Sequence, residues 1–327
     1  MEDINAFLRS KPNWPTSHVS DVTSLFETFA HRNEDPRTSA NFASELADDV
    51  GPLIAVLREP RVEEEDRLAL AVLLVLKVLS RKYQNRVAVG ADGVRGVVRT
   101  LSRAVHARIA AESCNVLLNL CYERENVELV LNSGGVAPLV ASLRADDAEL
   151  QANAAGALQS ITYQERGRAA VREGGAVTPL VLLLSSETQK VRTRAVGALH
   201  NLSSDADSIR LIRRQDAVPL LVAMLDAPQT AICSSAAGAL QNMSREKASC
   251  DLIRSLDGVP PLTGLLFGPD VQSQVCAAGA LLNILGHPAE GAVDTSPEYT
   301  PERAQLRKLM ESAVVLGMAY HGIFTDP

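Results

Sequence analysis

The sequence predicts an all-α fold in which units of three helices repeat in tandem. Four segments superpose, AAGALQSI from 154, AVGALHNL from 195, AAGALQNM from 236 and AAGALLNI from 277, and their glycines are 41 residues apart. A second set of positions keeps the same period: Leu143, Leu184, Leu225 and Leu266. Two independent motifs with one period indicate a repeat architecture. The composition agrees, because 46% hydrophobic but only 4% aromatic residues suits helices that pack closely through aliphatic side chains.

The third regular repeat illustrates its three helices. A short helix over 166–173 ends at Gly174 and Gly175, where glycine accepts the left-handed backbone of a helix end. A second helix opens around Pro179, where a first-turn N–H has no partner in any case. The third and longest helix follows a polar turn and places apolar residues three and four apart, so that one stripe faces the core.

The order of a glycine-ended helix, a Pro-Leu-Val helix and AAGAL-x-N-L resembles the armadillo repeat. The resemblance implies an armadillo solenoid, a right-handed α–α superhelix with three helices in each 41-residue repeat. Five regular repeats are expected within 84–285, at 84–122, 125–163, 166–203, 207–244 and 248–285. A divergent repeat is expected over 38–80, with helices at 41–48, 52–58 and 64–79.

The two ends of the chain are expected to differ from the repeats. Residues 1–37 are interpreted as N-terminal capping helices, one of them over 19–30, because a solenoid exposes apolar surface at its ends. Residues 286–301 contain three prolines and are interpreted as a linker. Residues 302–327 are interpreted as a C-terminal capping helix, with apolar side chains at helical spacing.

The resemblance also implies a binding site. In armadillo proteins the third helices line a concave groove, and their asparagines hydrogen-bond the main chain of an extended peptide. An amide suits this task because it offers both a donor and an acceptor. The positions in this chain are Asn119, Ser160, Asn201, Asn242 and Asn283. The alternative is that these side chains satisfy backbone groups between repeats.

Neighbouring rows extend the candidate site over the middle repeats. One residue before the asparagine row stand Gln159, His200 and Gln241, and Arg194 lies seven residues before Asn201. Arg194 is a candidate partner for a carboxylate, although a solvated helix surface would explain these polar residues as well. Nuclear import adaptors carry tryptophan four residues before the asparagine, where this chain has mostly glycine. The resemblance is therefore closer to the catenin and plant armadillo type.

Other classes of site find little support in the sequence. A formal charge of −7 argues against general nucleic-acid binding. The histidines and cysteines lack metal-ligand spacing, and the five cysteines are expected to be buried thiols. Gly90, Gly93 and Gly96 do not have the spacing of a dinucleotide loop and predict a turn between helices. No membrane-spanning stretch, catalytic constellation or cofactor motif is evident.

The sequence therefore predicts a non-enzymatic adaptor or scaffold that holds an extended segment of a partner protein. It predicts no small-molecule substrate, nucleic acid, membrane insertion or cofactor. The alternative, by family analogy, is a constitutive structural subunit of a large cytoskeletal or ciliary assembly. The expected location is the cytoplasm, with cytoskeletal, ciliary or nuclear placement left open.

Overall fold

The computed structural model describes residues 1–10, 18–39, 48–59, 62 and 64–286. These residues form helices and turns with no strand, which confirms the predicted all-α fold. The chain divides into an N-terminal unit, Met1–Pro179, and a C-terminal unit, Leu180–Pro327. The helix expected over 41–48, the linker beyond residue 286 and the C-terminal capping helix lie outside the described residues.

The N-terminal unit contains ten helices among its described residues. In chain order they are α1 (Glu2–Ser10), α2 (Val19–Arg32), α3 (Gly51–Leu57), α4 (Asp66–Leu79), α5 (Tyr83–Arg103), α6 (Ala107–Leu120), α7 (Arg124–Asn132), α8 (Val136–Ser142), α9 (Ala148–Ile161) and α10 (Glu165–Glu173). The third helices of its repeats are α4, α6 and α9, and each packs against the next. The N-terminal helix α2 packs against α4 with Val22 and Phe26 fully buried, so it occupies the place of a preceding third helix.

The boundary between the two units falls within α11 (Val177–Leu183). The described part of the C-terminal unit continues the same pattern. Its helices are α12 (Gln189–Leu202), α13 (Ala206–Arg214), α14 (Ala217–Ala223), α15 (Thr230–Met243), α16 (Lys247–Ser255), α17 (Val259–Leu265) and α18 (Val271–Gly286). The third helices α12, α15 and α18 pack side by side, with α15 between the other two.

A left-handed residue separates the first and second helices of each regular repeat. Glycine takes this position at Gly134 and Gly175, with φ of 72° and 75°. Asp216 and Asp257 replace it in the last two repeats, with φ of 54° and 53°. In the first regular repeat the break is Gly90, with φ of 57° inside α5.

The expectation that Gly90, Gly93 and Gly96 all belong to a turn is wrong for the last two. Gly93 and Gly96 lie within the second half of α5 and are buried. A Cβ at Gly96 would approach the Leu57 side chain to 3.0 Å, so this glycine lets α5 pack closely on α3. Their role is helix contact rather than chain reversal.

The interior consists of aliphatic side chains and alanine, as the composition predicts. All five cysteines are buried free thiols, which confirms that expectation. Within the part of the chain that the structure describes, no helix combines the length and apolarity needed to cross a bilayer.

Candidate binding face

The candidate site lies on one stripe of each third helix. We call the positions of Asn119, Ser160, Asn201, Asn242 and Asn283 the asparagine row. The ladder face of a third helix consists of its asparagine-row residue together with the residues one, four, seven and eleven positions before it. On α15 these are Asn242, Gln241, Gly238, Ser235 and Ala231. Spacings of four, three and four residues place the stripe on one side of the helix. Asn242, Gln241 and Ser235 are half-buried and Ala231 is exposed, so this side reaches solvent.

Side chains from one third helix cover the glycine of the next within the C-terminal unit. A Cβ at Gly238 would overlap the imidazole ring of His200, and one at Gly279 would overlap the side-chain amide of Gln241. His200 and Gln241 therefore fill the space where the import adaptors carry tryptophan. The glycine row is a set of packing sites, and it leaves no open slots for long side chains at these two positions.

The asparagines of the C-terminal unit bridge consecutive third helices. Asn242 Nδ2 lies 3.1 Å from Ser203 Oγ and 3.4 Å from the carbonyl oxygen of His200. Asn283 Nδ2 repeats the arrangement, at 3.0 Å from Ser244 Oγ and 3.4 Å from the carbonyl oxygen of Gln241. Two hydrogens on each amide nitrogen meet two acceptors, so both donors are used inside the protein.

This geometry limits the hydrogen bonds that the two asparagine amides can form with a partner. Among the described residues, the Oδ1 atoms of Asn242 and Asn283 accept no hydrogen bond. Each therefore presents an acceptor alone, whereas the sequence predicted a donor and an acceptor. A partner in contact with these atoms would contribute N–H donors.

The hydroxyl that accepts the hydrogen bond from each asparagine belongs to a further row of equivalent positions, which the sequence analysis missed. Ser203 Oγ donates to the carbonyl oxygen of His200 at 2.6 Å, and Ser244 Oγ donates to that of Gln241 at 2.7 Å. The row, two residues after the asparagine row, reads Ser80, Cys121, Thr162, Ser203 and Ser244. Its 41-residue period and the recurrent hydroxyl were available signals.

The N-terminal unit forms the same bridge once and lacks it once. Asn119 Nδ2 donates to Ser80 Oγ at 3.0 Å. Cys121 takes the place of the hydroxyl in the next step, and the residue 39 positions later is Ser160 rather than asparagine. Neither Cys121 nor Ser160 forms the equivalent bond within the described chain. The hydroxyl and the asparagine are thus lost together.

A half-buried ion pair occupies the ladder face at the divergent repeat. Lys77 Nζ on α4 lies 2.9 Å from Glu112 Oε2 on α6. Lys77 stands one residue before the asparagine row and Glu112 seven before it, so these two rows meet between adjacent third helices. Asn153, in the same row as Glu112, donates to the carbonyl oxygen of Ala111 at 3.1 Å. Two of the polar rows therefore also hold repeats together.

The remaining candidate residues lie at the positions that the period assigns. Gln159 and Ser160 are half-buried on α9, and Arg194, His200 and Asn201 are half-buried on α12. Burial lowers the pKa of His200, because desolvation disfavours the charged ring.

The described residues do not assemble a reactive centre. Burial raises the pKa of the Cys114 and Cys121 thiols to about 12, which keeps both protonated and poorly nucleophilic. No group of three or more potential metal ligands occurs in the described part of the chain. The arrangement is suited to hydrogen bonding along a surface.

Comparisons with known proteins agree with this architecture. The model of the armadillo/beta-catenin-like repeat matches residues 123–163, 164–204 and 205–245. A search of the curated proteins finds no match. Among solved structures, an engineered protein is 28% identical, with a TM-score of 0.65, over 74% of this chain and 98% of its own. A second engineered protein has a TM-score of 0.74 at 23% identity, over 87% of this chain and 69% of its own.

A designed armadillo repeat protein in complex with the peptide (KR)4 has the same fold. It is 20% identical, with a TM-score of 0.64, over 72% of this chain and 100% of its own. At this identity the likeness concerns the fold alone. Residues 123–245 match the armadillo-repeat model, the 41-residue period continues on both sides of them, and the fold is that of armadillo-repeat proteins.

Proposed function

We propose that the protein is a non-enzymatic adaptor that binds an extended segment of a partner protein on its ladder face. The armadillo fold is typically a scaffold for protein binding, and a designed member has been solved with a bound peptide. The observation that carries the proposal is the orientation of Asn242 and Asn283. Their amide nitrogens are held by the preceding repeat, so their oxygens are fixed as acceptors.

The physical reason is preorganisation. An extended segment has main-chain N–H groups that lack partners, and an acceptor fixed beforehand binds them with little loss of side-chain freedom. Each such bond contributes about 0.5–1.5 kcal/mol net. A row of acceptors therefore holds a chain with modest demands on its side chains. Within the C-terminal unit the proposal adds Arg194, His200, Asn201 and Gln241 to this face. Asn119, Gln159 and Ser160 belong to the corresponding face of the N-terminal unit.

Two matched variants separate binding from the structural bridge. Asn242→Ala with Asn283→Ala removes the acceptors and the bridges. Ser203→Ala with Ser244→Ala breaks the bridges but keeps both acceptor oxygens. The partner is first identified by cross-linking mass spectrometry on protein purified at its endogenous level, and its affinity for each variant is then measured by calorimetry.

We expect the two asparagine substitutions to lower the affinity for the partner by roughly 5- to 100-fold, which corresponds to the loss of two hydrogen bonds. The serine pair should weaken binding less, by about threefold, because the acceptor oxygens remain but lose part of their preorganisation. Equal losses in both variants, or none in either, would contradict the proposal. The alternative is a constitutive subunit of a large assembly in the cytoplasm, cytoskeleton or cilium. It would be favoured if cross-links were confined to the first and second helices of the repeats and nearly all copies were found in one large particle.

A further inference from the structure

Three exposed tyrosines lie along the N-terminal unit, in or directly after the turns between repeats. Tyr122 and Tyr163 occupy the turns that follow the third helices α6 and α9, 41 residues apart. Tyr83 begins α5, directly after the turn that follows α4. Their exposed fractions are 58% for Tyr83, 61% for Tyr122 and 78% for Tyr163, and we call the three residues the tyrosine rim. The next two positions of the 41-residue period are Ser204 and Arg245, so the aromatic row does not continue into the C-terminal unit.

Arg86 joins the first two rings of the rim. Its guanidinium carbon lies 5.9 Å from the ring centroid of Tyr83 and 5.7 Å from that of Tyr122. Arg86 is itself fixed, because its Nε donates to Glu123 Oε1 at 2.6 Å. A guanidinium that lies over two aromatic rings restricts the motion of both. A partner that packs on these rings therefore binds side chains that are already ordered, at little cost in side-chain freedom.

Tyr122 and Tyr163 are related by one repeat. The third helices that precede them, α6 and α9, pack directly against each other. Gln164 Nε2 donates to the carbonyl oxygen of Arg124 at 3.4 Å, so the two turns are in contact as well. Packed helices are about 8–10 Å apart, and equivalent positions on them are separated by about the same distance. The rim thus presents aromatic rings about one helix spacing apart.

The surface of the rim is apolar with hydrogen-bond donors at its tips. Val87, one turn beyond Tyr83 on the same side of α5, is also exposed. Exposed apolar groups that lie next to one another are typical of an interaction surface. Within the described chain the phenolic hydroxyls of the rim form no hydrogen bond, so each is available to donate. The rim therefore offers aromatic faces together with O–H donors.

The charges beside the rim are balanced. Arg86 pairs with Glu123, and Arg166 pairs with Glu128. Arg124 stands between two glutamates in the chain. A surface with balanced charges complements an uncharged segment of a partner. It gives little to a nucleic acid, because affinity for nucleic acids grows with the number of phosphates that cations neutralise.

We propose that the tyrosine rim binds a proline-rich segment of a partner protein in the polyproline II conformation, with prolines three residues apart on Tyr122 and Tyr163. One turn of this conformation contains three residues and advances about 9 Å, which matches the separation of the two rings. A β-strand repeats its side-chain direction every two residues, or about 7 Å, and fits the rings less well. The spacing of the repeats therefore favours polyproline II over a strand.

The hydrogen-bonding groups of such a segment also suit the rim. A polyproline II segment has no internal hydrogen bonds, so its carbonyl oxygens can accept from the tyrosine hydroxyls. Proline lacks an N–H, whereas the acceptor oxygens of Asn242 and Asn283 on the ladder face require N–H donors. The rim is thus suited to a segment that the ladder face binds poorly. This inference does not depend on the proposed function.

The test uses a phage-displayed library of random 12-residue peptides, panned on the full chain after depletion on a variant that carries Tyr122→Ala and Tyr163→Ala. We expect the selected peptides to contain prolines three residues apart. The best one, made with a fluorescent label, should lose at least about tenfold in affinity for the alanine variant. Insertion of one residue between its two prolines should lower the affinity by at least about fivefold, because it breaks the three-residue register.

Two control variants separate the rings from other effects. Tyr122→Phe with Tyr163→Phe keeps the rings and removes the hydroxyls, so it should lose less affinity than the alanine pair. Phe267→Ala removes another exposed aromatic side chain, outside the rim, and should alter the affinity by less than about twofold. Circular dichroism should show unchanged helix content in every variant, since the substituted side chains are exposed.

The other outcomes would overturn the proposal. Selected peptides without the proline spacing, or proline peptides that bind the alanine variant equally well, would contradict it. Equal losses with Phe267→Ala would indicate unspecific contact with aromatic rings. No enrichment after depletion would also count against the rim, while it would leave the ladder face to be tested through Asn242 and Asn283. Preferential binding of a labelled 20-nucleotide single strand, lost in the alanine variant, would assign the rim to base stacking in nucleic acid.

Discussion

Asn242 donates its side-chain amide to the hydroxyl of Ser203, which lies 39 residues earlier at the end of the preceding third helix. The hydroxyl in turn donates to the carbonyl oxygen of His200, at the last turn of that helix. One serine thus satisfies a helix end and fixes the asparagine of the next repeat. Repeat stacking and the orientation of the candidate binding residue depend on the same small group.

Ser203→Ala should destabilise the C-terminal unit by about 1–2 kcal/mol, because Asn242 loses one acceptor and the carbonyl oxygen of His200 loses one of its two side-chain donors. Ser203→Thr should retain most of the stability, since Thr162 holds the same row position and donates to the carbonyl oxygen of Gln159 at 2.8 Å. Urea unfolding followed by circular dichroism measures both. If Ser203→Ala and Ser203→Thr unfolded at the same urea midpoint, the hydroxyl would not be the source of the stability.

The missing bridge between α6 and α9 should be restorable by two substitutions together. Cys121→Ser supplies the hydroxyl and Ser160→Asn supplies the amide, while either change alone leaves the bridge without its donor or its acceptor. We expect a favourable coupling energy of about 0.5–1.5 kcal/mol in a double-mutant cycle on unfolding. Strictly additive effects would show that the two positions do not meet.

The sequence predicts the helices well because the residues that begin and end them act locally. Gly175 ends a first helix and Pro179 lies in the first turn of α11, and both rules depend on neighbouring residues only. Local rules could not predict that the amide nitrogen of Asn242 is held inside the protein, because its acceptor, Ser203, belongs to the previous repeat. Gly96 was assigned to a turn for a related reason: glycine serves equally for chain reversal and for close helix contact, and only the position of Leu57 decides between them.

Two glycines of one row should respond differently to alanine. Gly279→Ala meets the flexible end of Gln241, which can rotate away, so the gain in helix propensity of up to about 1 kcal/mol should be retained. Gly238→Ala meets the rigid ring of His200 and should lose that gain or destabilise the fold. In a His200→Ala background, Gly238→Ala should again be stabilising. Thermal unfolding of the four variants tests this, and equal effects of the two single alanine substitutions would contradict it.

Asp216 and Asp257 hold a backbone conformation that glycine adopts more easily. Asp216→Gly and Asp257→Gly should each stabilise the protein by up to about 1 kcal/mol, after allowance for the greater freedom of glycine in the unfolded chain. Gly175→Asp is the reciprocal change and should cost a similar amount. The prediction fails if Asp216→Gly lowers the urea midpoint, which would mean that the aspartate side chain contributes more than the strain removes.

The half-buried ring of His200 should make stability fall in mild acid. Burial lowers its pKa in the folded protein, so the unfolded chain takes up a proton at a higher pH than the native one. The contribution of the neutral ring is therefore complete above the unfolded pKa of about 6.5, and it is lost as the pH falls through that value towards the lower native pKa. His200→Gln should flatten the decline in unfolding free energy between about pH 7 and 5, because glutamine occupies the same row at Gln159 and Gln241 without titrating. Gln241→Ala, which alters the row without removing a titrating group, should keep the wild-type slope. Identical slopes for the wild type and His200→Gln would show that the ring is protonated as readily in the folded protein as in the unfolded chain.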